Sequence, residues 1–427
     1  MKENSSLEKN GLIVLILTTL SSAINYLSQI LMGRFLDISS YGIINSVFSI
    51  MLITGVIGTT LSMISSKVVA ENLALGRAKK NEMYINALAG WLALGCLLVL
   101  FISLIVFFVL NRFFLEQNMT VAIFTVLVVV TSLIPPFFQG TLGGLQEFVI
   151  LGLYTLVIPI IKMLGVIGLK VLEYVGNKGV CVVFASIILG NVLATILGII
   201  LLYNKKIEFH ISEMARQVRK NKIEKYYLDS FVVNIFMMIL MNVDVLYLKL
   251  VVGSDEAGLY SSGLMFGRVI YYCVTALVSV LLPMVAFNSS ENGKNSLAML
   301  NKTLGFTLGL TIIFLIPVNI FAESLLGLIF GNKYSLAVPY IKYASFISVS
   351  TSLNMILMNY MLGIEKVSFF KKTLVGGFIV FLLMLLITSN RQYVTLFLLG
   401  GIGFLIFMIN YVYCMKSENK GGTKDEV

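Results

Sequence analysis

The sequence predicts an all-α, polytopic membrane protein with about 12 transmembrane helices in two six-helix lobes around a central cavity. Three observations support this fold class: 58% of the 427 residues are hydrophobic, only 12% are charged, and long apolar runs recur along the chain. Soluble domains carry about 25% charged residues. A helical span needs ~20 apolar residues, and its backbone must satisfy its own hydrogen bonds in lipid. The runs are therefore predicted to be membrane-spanning helices.

The first run follows ten polar residues and extends to about Gly33. It is longer than the apolar core of a signal peptide, so it is predicted to be a retained span. The predicted spans are 11–33, 41–65, 83–110, 120–140, 149–169, 179–203, 227–251, 259–283, 301–322, 339–362, 373–388 and 394–415.

A basic segment between the sixth and seventh spans divides the chain. The predicted domains are an N-lobe at 1–203, a cytoplasmic linker at 204–226, a C-lobe at 227–415 and a cytoplasmic tail at 416–427. The linker residues Ile207, Ile211, Met214 and Val218 follow helical spacing with cations around them. This pattern indicates an amphipathic helix on the inner leaflet, with an ordinary solvated linker as the alternative.

A short internal repeat supports two equivalent halves. Segments 37–46 and 253–262 join the first two spans of each half and match at an offset of 216 residues. Gly42 then aligns with Gly258, and Ser46 aligns with Ser262. Two such halves around a midplane site are a recurrent plan among transporters.

The distribution of cations predicts the orientation. With the N-terminus inside, 21 Lys and Arg residues lie at inner ends and 8 lie at outer ends. Cations are concentrated on the cytoplasmic side of membrane proteins, so both termini are predicted to be cytoplasmic. The net charge of +10 is then a topology signal, and nucleic acid is not an expected partner.

Motifs for metal, cofactor or nucleotide binding are missing from the sequence. The four cysteines are scattered through apolar runs, and the single histidine, His210, lies in the polar linker. There is no Walker A, H-E-x-x-H or G-x-S-x-G pattern. No cofactor is expected, and short outer loops disfavour a membrane enzyme such as a polymerase or an acyltransferase.

Three charged residues lie within predicted spans. Lys162 in span five and Arg268 in span eight are near the membrane midplane, one in each lobe, and Asp244 lies in span seven. A buried charge costs at least ~2.5–3.5 kcal/mol on insertion scales, so such residues usually face a cavity and serve function. The alternative is a structural ion pair, for example of Asp244 with Lys249 or Arg268.

Larger polar side chains accompany these charges. In span one, Asn25 and Gln29 share a helix face with Thr18 and Ser22, and in span eight Tyr272 lies one turn from Arg268. Such stripes line either a cavity or a helix interface. The candidate substrate-binding residues are Arg268, Lys162, Asn25, Gln29 and Tyr272. The candidate ion-coupling residues are Asp244, Asn234 and Asn242.

Several of these segments together resemble the polysaccharide flippases. The resemblance is carried by residues 33–43, by 140–146 with Lys162 in the next span, and by 255–262 followed by Arg268. These flippases are a branch of the superfamily that also holds the multidrug and toxin extrusion exporters and the lipid II flippases. The resemblance covers essentially the whole chain.

The resemblance implies a V-shaped, two-lobe protein of a bacterial cytoplasmic membrane. It implies transfer of an undecaprenyl-diphosphate-linked oligosaccharide from the inner to the outer leaflet by alternating access. The expected partners are this lipid-linked substrate, the bilayer, and the polysaccharide polymerase and glycosyltransferases of the same pathway. Lys162 and Arg268 would hold the diphosphate. The alternative within the superfamily is a cation-coupled drug antiporter, for which Asp244 is the candidate carboxylate.

Overall fold

A computed structural model describes residues 2–74, 78–109, 118–205, 207, 225–291, 296–364, 367–388 and 391–421 of the protein. These ranges are helical almost throughout and contain no β-strand. The predicted all-α fold is therefore confirmed. The chain divides into two compact units, Met1–Tyr227 and Leu228–Val427.

Among the described residues, eight helices lie before residue 205. They are α1 (Lys2–Phe35), α2 (Ile38–Thr54), α3 (Val56–Ala74), α4 (Ala78–Val109), α5 (Met119–Ser132), α6 (Pro135–Gly144), α7 (Phe148–Leu172) and α8 (Gly176–Asn204). The second set starts with α9 (Lys225–Tyr247), which continues as a π-helical turn at Leu248–Val252. It then comprises α10 (Ser254–Glu291), α11 (Ser296–Ile320), α12 (Ala322–Ile329), a 3₁₀ turn at Asn332–Ala337, α13 (Val338–Gly363), α14 (Val367–Thr388) and α15 (Gln392–Gly421).

Within the described residues, eight helical segments are long and apolar enough to cross a membrane. The pair Ile38–Thr54 and Val56–Ala70 passes the same test as one span bent by 40°. The three other predicted spans correspond to α1, α10 and α13, which carry many polar side chains. All twelve predicted spans thus have a helical counterpart among the described residues.

The second predicted span is broken into two helices, and the second of them packs closely against α6. The bend falls at Gly55, between α2 and α3. A Cβ at Gly140 of α6 would lie 2.1 Å from the carbonyl oxygen of Ser62 on α3. Ser65 and Thr141 exchange a hydrogen bond of 2.7 Å across the same interface. Small residues therefore allow backbone contact between α3 and α6.

Helix α1 packs against α7 along an edge that coincides only partly with the predicted stripe. Ser21 Oγ donates to the carbonyl oxygen of Thr155 at 2.8 Å, and Ser28 is fully buried. Thr18 and Ser22 instead donate to carbonyl oxygens of their own helix. A one-residue shift rotates a helix face by ~100°, so the buried edge includes Ser21 and Ser28 rather than Ser22.

In the second unit, α10 packs against α13 at Gly267. A Cβ at this position would lie 2.3 Å from Ser348 Oγ. Glycine is needed here because no larger residue fits without moving α13. The contact fixes the rotation of α10 and so the direction in which the neighbouring Arg268 projects.

Two predicted segments lie mostly outside the described residues. Of the predicted amphipathic helix, only Ile207 is described, and its N–H donates to the carbonyl oxygen of Leu202 at 3.1 Å. Ile211, Met214 and Val218 are outside the described residues, as is the tail beyond Gly421. The amphipathic helix therefore remains a prediction.

Candidate functional site

Lys162 lies in the middle of α7 and is only 7% exposed. Its Nζ donates to Asn25 Oδ1 of α1 at 2.5 Å and lies 5.7 Å from the centre of the Phe48 ring on α2. The sequence singled out Lys162 and Asn25, and the structure places them in direct contact. Phe48 was missed because an aromatic residue in an apolar run gives no distinguishing signal.

Gln29 lies one helical turn after Asn25 on α1. Its Oε1 is buried and has no hydrogen-bond partner in the part of the chain that the structure describes. An unpaired buried oxygen costs about 1–3 kcal/mol. This group of Lys162, Asn25, Gln29 and Phe48 thus combines a cation, a spare acceptor and an aromatic ring. Because both Lys162 contacts are to uncharged groups, an anionic ligand would neutralise the site.

Arg268 provides a corresponding cation in the second unit. Its Nη2 donates to Asn242 Oδ1 of α9 at 3.1 Å, and Asn242 is fully buried. The Arg268 Nε is buried and, among the described residues, makes no hydrogen bond. The guanidinium therefore retains donor capacity for an oxygen-rich ligand.

Asp244 is fully buried on α9. Its carboxylate accepts a hydrogen bond of 2.5 Å from the Tyr260 hydroxyl of α10 and one of 2.8 Å from the Val245 N–H. Of the two cations predicted as structural partners of Asp244, Arg268 acts electrostatically on its carboxylate, and Lys249 donates a hydrogen bond to Ser254 Oγ.

Tyr260 was missed by sequence reasoning. The sequence does contain a clue to this contact. Helices α9 and α10 are consecutive antiparallel spans that meet at Gly253, and Asp244 and Tyr260 lie at similar distances on either side of this junction. A phenol so placed can reach the carboxylate of the preceding helix.

Two candidate residues lie apart from these contacts. Asn234 donates to the carbonyl oxygen of Ser230 and precedes Asp244 by ten residues, which is ~15 Å along α9. It is therefore not a neighbour of Asp244. Tyr272 is 52% exposed and its ring packs edge-on against Tyr271.

A helical bundle of about twelve spans with buried charged groups in each unit defines a class of protein. Intramembrane charges of this kind mark substrate or ion pathways, and two six-span halves are typical of membrane transporters.

Comparison with known families agrees with this class. The profile of the family described as polysaccharide biosynthesis protein matches residues 7–289. The chain belongs to this family, and the resemblance inferred from the sequence is confirmed.

Solved structures of transporters share the fold. The lipid II flippase MurJ in an inward closed conformation has a TM-score of 0.71 at 13% identity, with 95% of this chain and 87% of that chain covered. An inward-facing multidrug resistance MATE family transporter of the MOP superfamily has a TM-score of 0.69 at 10% identity, covering 97% and 99%. A MOP superfamily transporter from Pyrococcus furiosus has a TM-score of 0.62 at 12% identity, covering 97% and 94%. No curated protein matches the sequence.

Proposed function

We propose that this protein flips an undecaprenyl-diphosphate-linked oligosaccharide from the inner to the outer leaflet of a bacterial cytoplasmic membrane. The observation that carries the proposal is the buried Lys162, whose contacts are an amide oxygen and an aromatic ring. A buried cation with uncharged neighbours is costly unless a ligand supplies the opposite charge. The family of polysaccharide biosynthesis proteins makes a lipid-linked sugar phosphate the natural ligand.

The physical task is to carry a diphosphate across hydrocarbon. Lys162 offers a point charge, whereas Arg268 offers a planar fork that can bind phosphate oxygens through two parallel hydrogen bonds. Asn25 and Gln29 provide amide groups for sugar hydroxyls, and the lipid tail stays in the bilayer. Tyr272, one turn from Arg268, supplies an exposed ring for the same ligand. Alternating access then moves the headgroup without a covalent step, so the protein is not an enzyme.

The membrane arrangement completes the proposal. Both termini and the linker at 204–226 are cytoplasmic, and the linker joins an N-lobe at 1–203 to a C-lobe at 227–415. The polymerase and glycosyltransferases of the pathway are the expected protein partners. Cysteines introduced at Asn177 and Ser212 in a cysteine-free background test this topology. A membrane-impermeant thiol reagent should label N177C from outside intact cells and spare S212C; the reverse pattern would overturn the orientation.

A second candidate function is cation-coupled antiport of a drug or small molecule. The buried Asp244, held by Tyr260, favours this candidate because a carboxylate can carry a proton or sodium ion through the cycle. Asn242 and Asn234 were the predicted partners, and only Asn242 belongs to the same network, through Arg268. The same carboxylate would also couple flipping to an ion gradient, so Asp244 serves both candidates.

The test is complementation of a strain that lacks its own polysaccharide flippase, with surface polysaccharide and protein abundance measured together. Lys162→Gln and Arg268→Gln should abolish export at normal abundance. Arg268→Lys should also impair export, because lysine lacks the planar guanidinium that binds phosphate through two parallel hydrogen bonds. Lys162→Arg should reduce export less. The matched controls are Lys170→Gln and Lys302→Gln. Both lysines are exposed; Lys170 lies on the same helix as Lys162, and Lys302 lies on α11.

The outcomes separate a binding role from a structural one. Lost export at normal abundance, with both controls active, supports the proposal. Normal export by Lys162→Gln, or disappearance of the protein in the Gln variants, contradicts it. Drug resistance conferred on a sensitive host, without surface polysaccharide, would establish the antiporter instead.

A further inference from the structure

A cavity of about 450 Å³ lies within the second unit, at the end where α10, α13 and α15 begin. Its wall includes two carboxylates, Glu256 and Glu323, and two aromatic rings, Tyr340 and Tyr393. Ser335 and Pro339 complete the rim on the 3₁₀ turn and the first turn of α13. The cavity is separate from the network of Arg268, and its volume falls in the range of small-molecule sites.

The wall of this cavity is held in place by buried groups. The Tyr340 side chain is 1% exposed; its hydroxyl donates to Glu256 and accepts from Gln392 Nε2 at 2.9 Å. The Tyr340 ring packs edge-on against Tyr260 and lies 5.3 Å from the Tyr393 ring. The cavity is therefore preformed, and its ligand does not have to order the wall before binding.

The rings are supported from outside the cavity as well. Tyr343 stacks on Tyr393 with ring centroids 5.5 Å apart, while Tyr393 remains 38% exposed. An aromatic ring that is backed by a second ring and still open to solvent offers a rigid surface to a ligand at little cost in entropy.

The chemistry of this wall selects one kind of ligand. Carboxylates accept hydrogen bonds from hydroxyl or ammonium groups and repel phosphate. Aromatic faces carry negative charge density and attract polarised C–H groups or cations. A sugar ring presents hydroxyls at its edge and C–H groups on its face, so it satisfies both features at once.

We propose that this cavity is a carbohydrate subsite that binds a neutral or amino sugar and excludes anionic groups. In the context of the proposed function, on which its biological role rests, the subsite would receive the glycan of the lipid-linked substrate. The predicted topology places this end of the unit outside the cell, so the subsite would hold the sugar after the headgroup has crossed. Lys162 and Arg268 would bind the diphosphate, and the cavity would bind a sugar.

The experiment measures saturation-transfer NMR from the purified full-length protein in lipid nanodiscs to three free sugars: glucose, glucosamine and glucuronate. These probes lack lipid and phosphate. Lys170→Gln, at an exposed position of α7 outside both proposed sites, should leave their signals unchanged. Tyr393→Ala and Glu323→Gln should each lower the glucose and glucosamine signals by about fivefold. Tyr203→Ala, which removes an exposed tyrosine of the first unit, is the matched control.

Stronger signals for glucose and glucosamine than for glucuronate, lost in the two cavity variants and kept in the control, support the subsite. It is overturned if none of the sugars gives a signal, if glucuronate gives the strongest signal, or if the cavity variants bind like the wild type. Because Lys162→Gln tests the diphosphate site through export and not through these probes, either proposal can fail while the other stands.

Discussion

Replacing Asn25 by leucine should leave the buried Lys162 ammonium without its hydrogen-bond acceptor. The substitution keeps a similar volume and removes the amide oxygen that accepts the 2.5 Å hydrogen bond from Nζ. Loss of a hydrogen bond to a buried charged group costs about 1.5–3 kcal/mol. In a unit of about 200 residues, 1 kcal/mol lowers the melting temperature by ~2–4 °C. We therefore expect Asn25→Leu to melt roughly 3–12 °C below the wild type in detergent, as measured by loss of the monodisperse chromatographic peak.

A second substitution tests the cause of that loss. Adding Lys162→Met removes the stranded ammonium and leaves an apolar side chain that packs flexibly, so the double variant should regain most of the lost melting temperature. Lys162→Met alone should melt at or above the wild type while losing export. Lys170→Met, whose exposed Nζ lies 5.7 Å from the Phe35 ring, is the control and should change the melting temperature by less than ~2 °C. A double variant that melts no higher than Asn25→Leu would refute the reasoning.

Three further predictions concern the packing, a helix cap and coupling. Gly140→Ala should lower abundance and melting temperature by the equivalent of ~1–3 kcal/mol, because its Cβ would meet the Ser62 backbone at 2.1 Å; normal stability would contradict the close approach. Asp37 caps the N-terminus of α2, where its carboxylate accepts a hydrogen bond of 2.9 Å from the Ser40 N–H. Burial raises the pKa of this carboxyl, but its hydrogen bonds outweigh burial and hold the pKa below 3.8. Its stabilisation, ~1 kcal/mol by comparison with Asp37→Ala, should be complete above pH 3.8 and should disappear as the pH falls through the lowered pKa; a difference between the two melting curves that persists at pH 2 would argue against it. Asp244→Asn should retain the Tyr260 contact and the fold, but its transport activity in vesicles should no longer depend on an ion gradient. Transport that depends on the gradient as in the wild type would rule out coupling through Asp244.

The fold was predictable because its strongest determinant, the long apolar runs, can be recognised in the local sequence. Each apolar run is long enough to require a helix, whatever its neighbours are. The break at Gly55 and the close approach of α6 to α3 at Gly140 were not predictable, because they depend on how the helices pack. Span limits were also imprecise: α1 begins at Lys2, well before the predicted start at residue 11, since polar residues can continue a helix beyond the hydrocarbon.

The charged residues of the site were predictable for a similar reason. Lys162, Arg268 and Asp244 were identified by depth alone, since a charge inside a span is costly wherever its partner is. Their partners depend on the rotation and the pairing of helices, which the sequence leaves open. Asn25 is 137 positions away from Lys162, and their contact exists because α1 packs along α7. Tyr260 binds Asp244 only because α9 and α10 are antiparallel neighbours.

The insertion cost of polar groups is concentrated in a few helices, and this distribution bears on mechanism. Helices α1, α10 and α13 each carry a row of polar side chains within a predicted span. Among these residues, α1 supplies Asn25 and Gln29, and α10 supplies Arg268. A helix that only had to pack would gain stability by replacing such residues with apolar ones. In each unit, therefore, a charged, hydroxyl-rich substrate explains the polar residues at the cation better than membrane stability does: Asn25 and Gln29 beside Lys162 in the first unit, and Arg268 itself in the second.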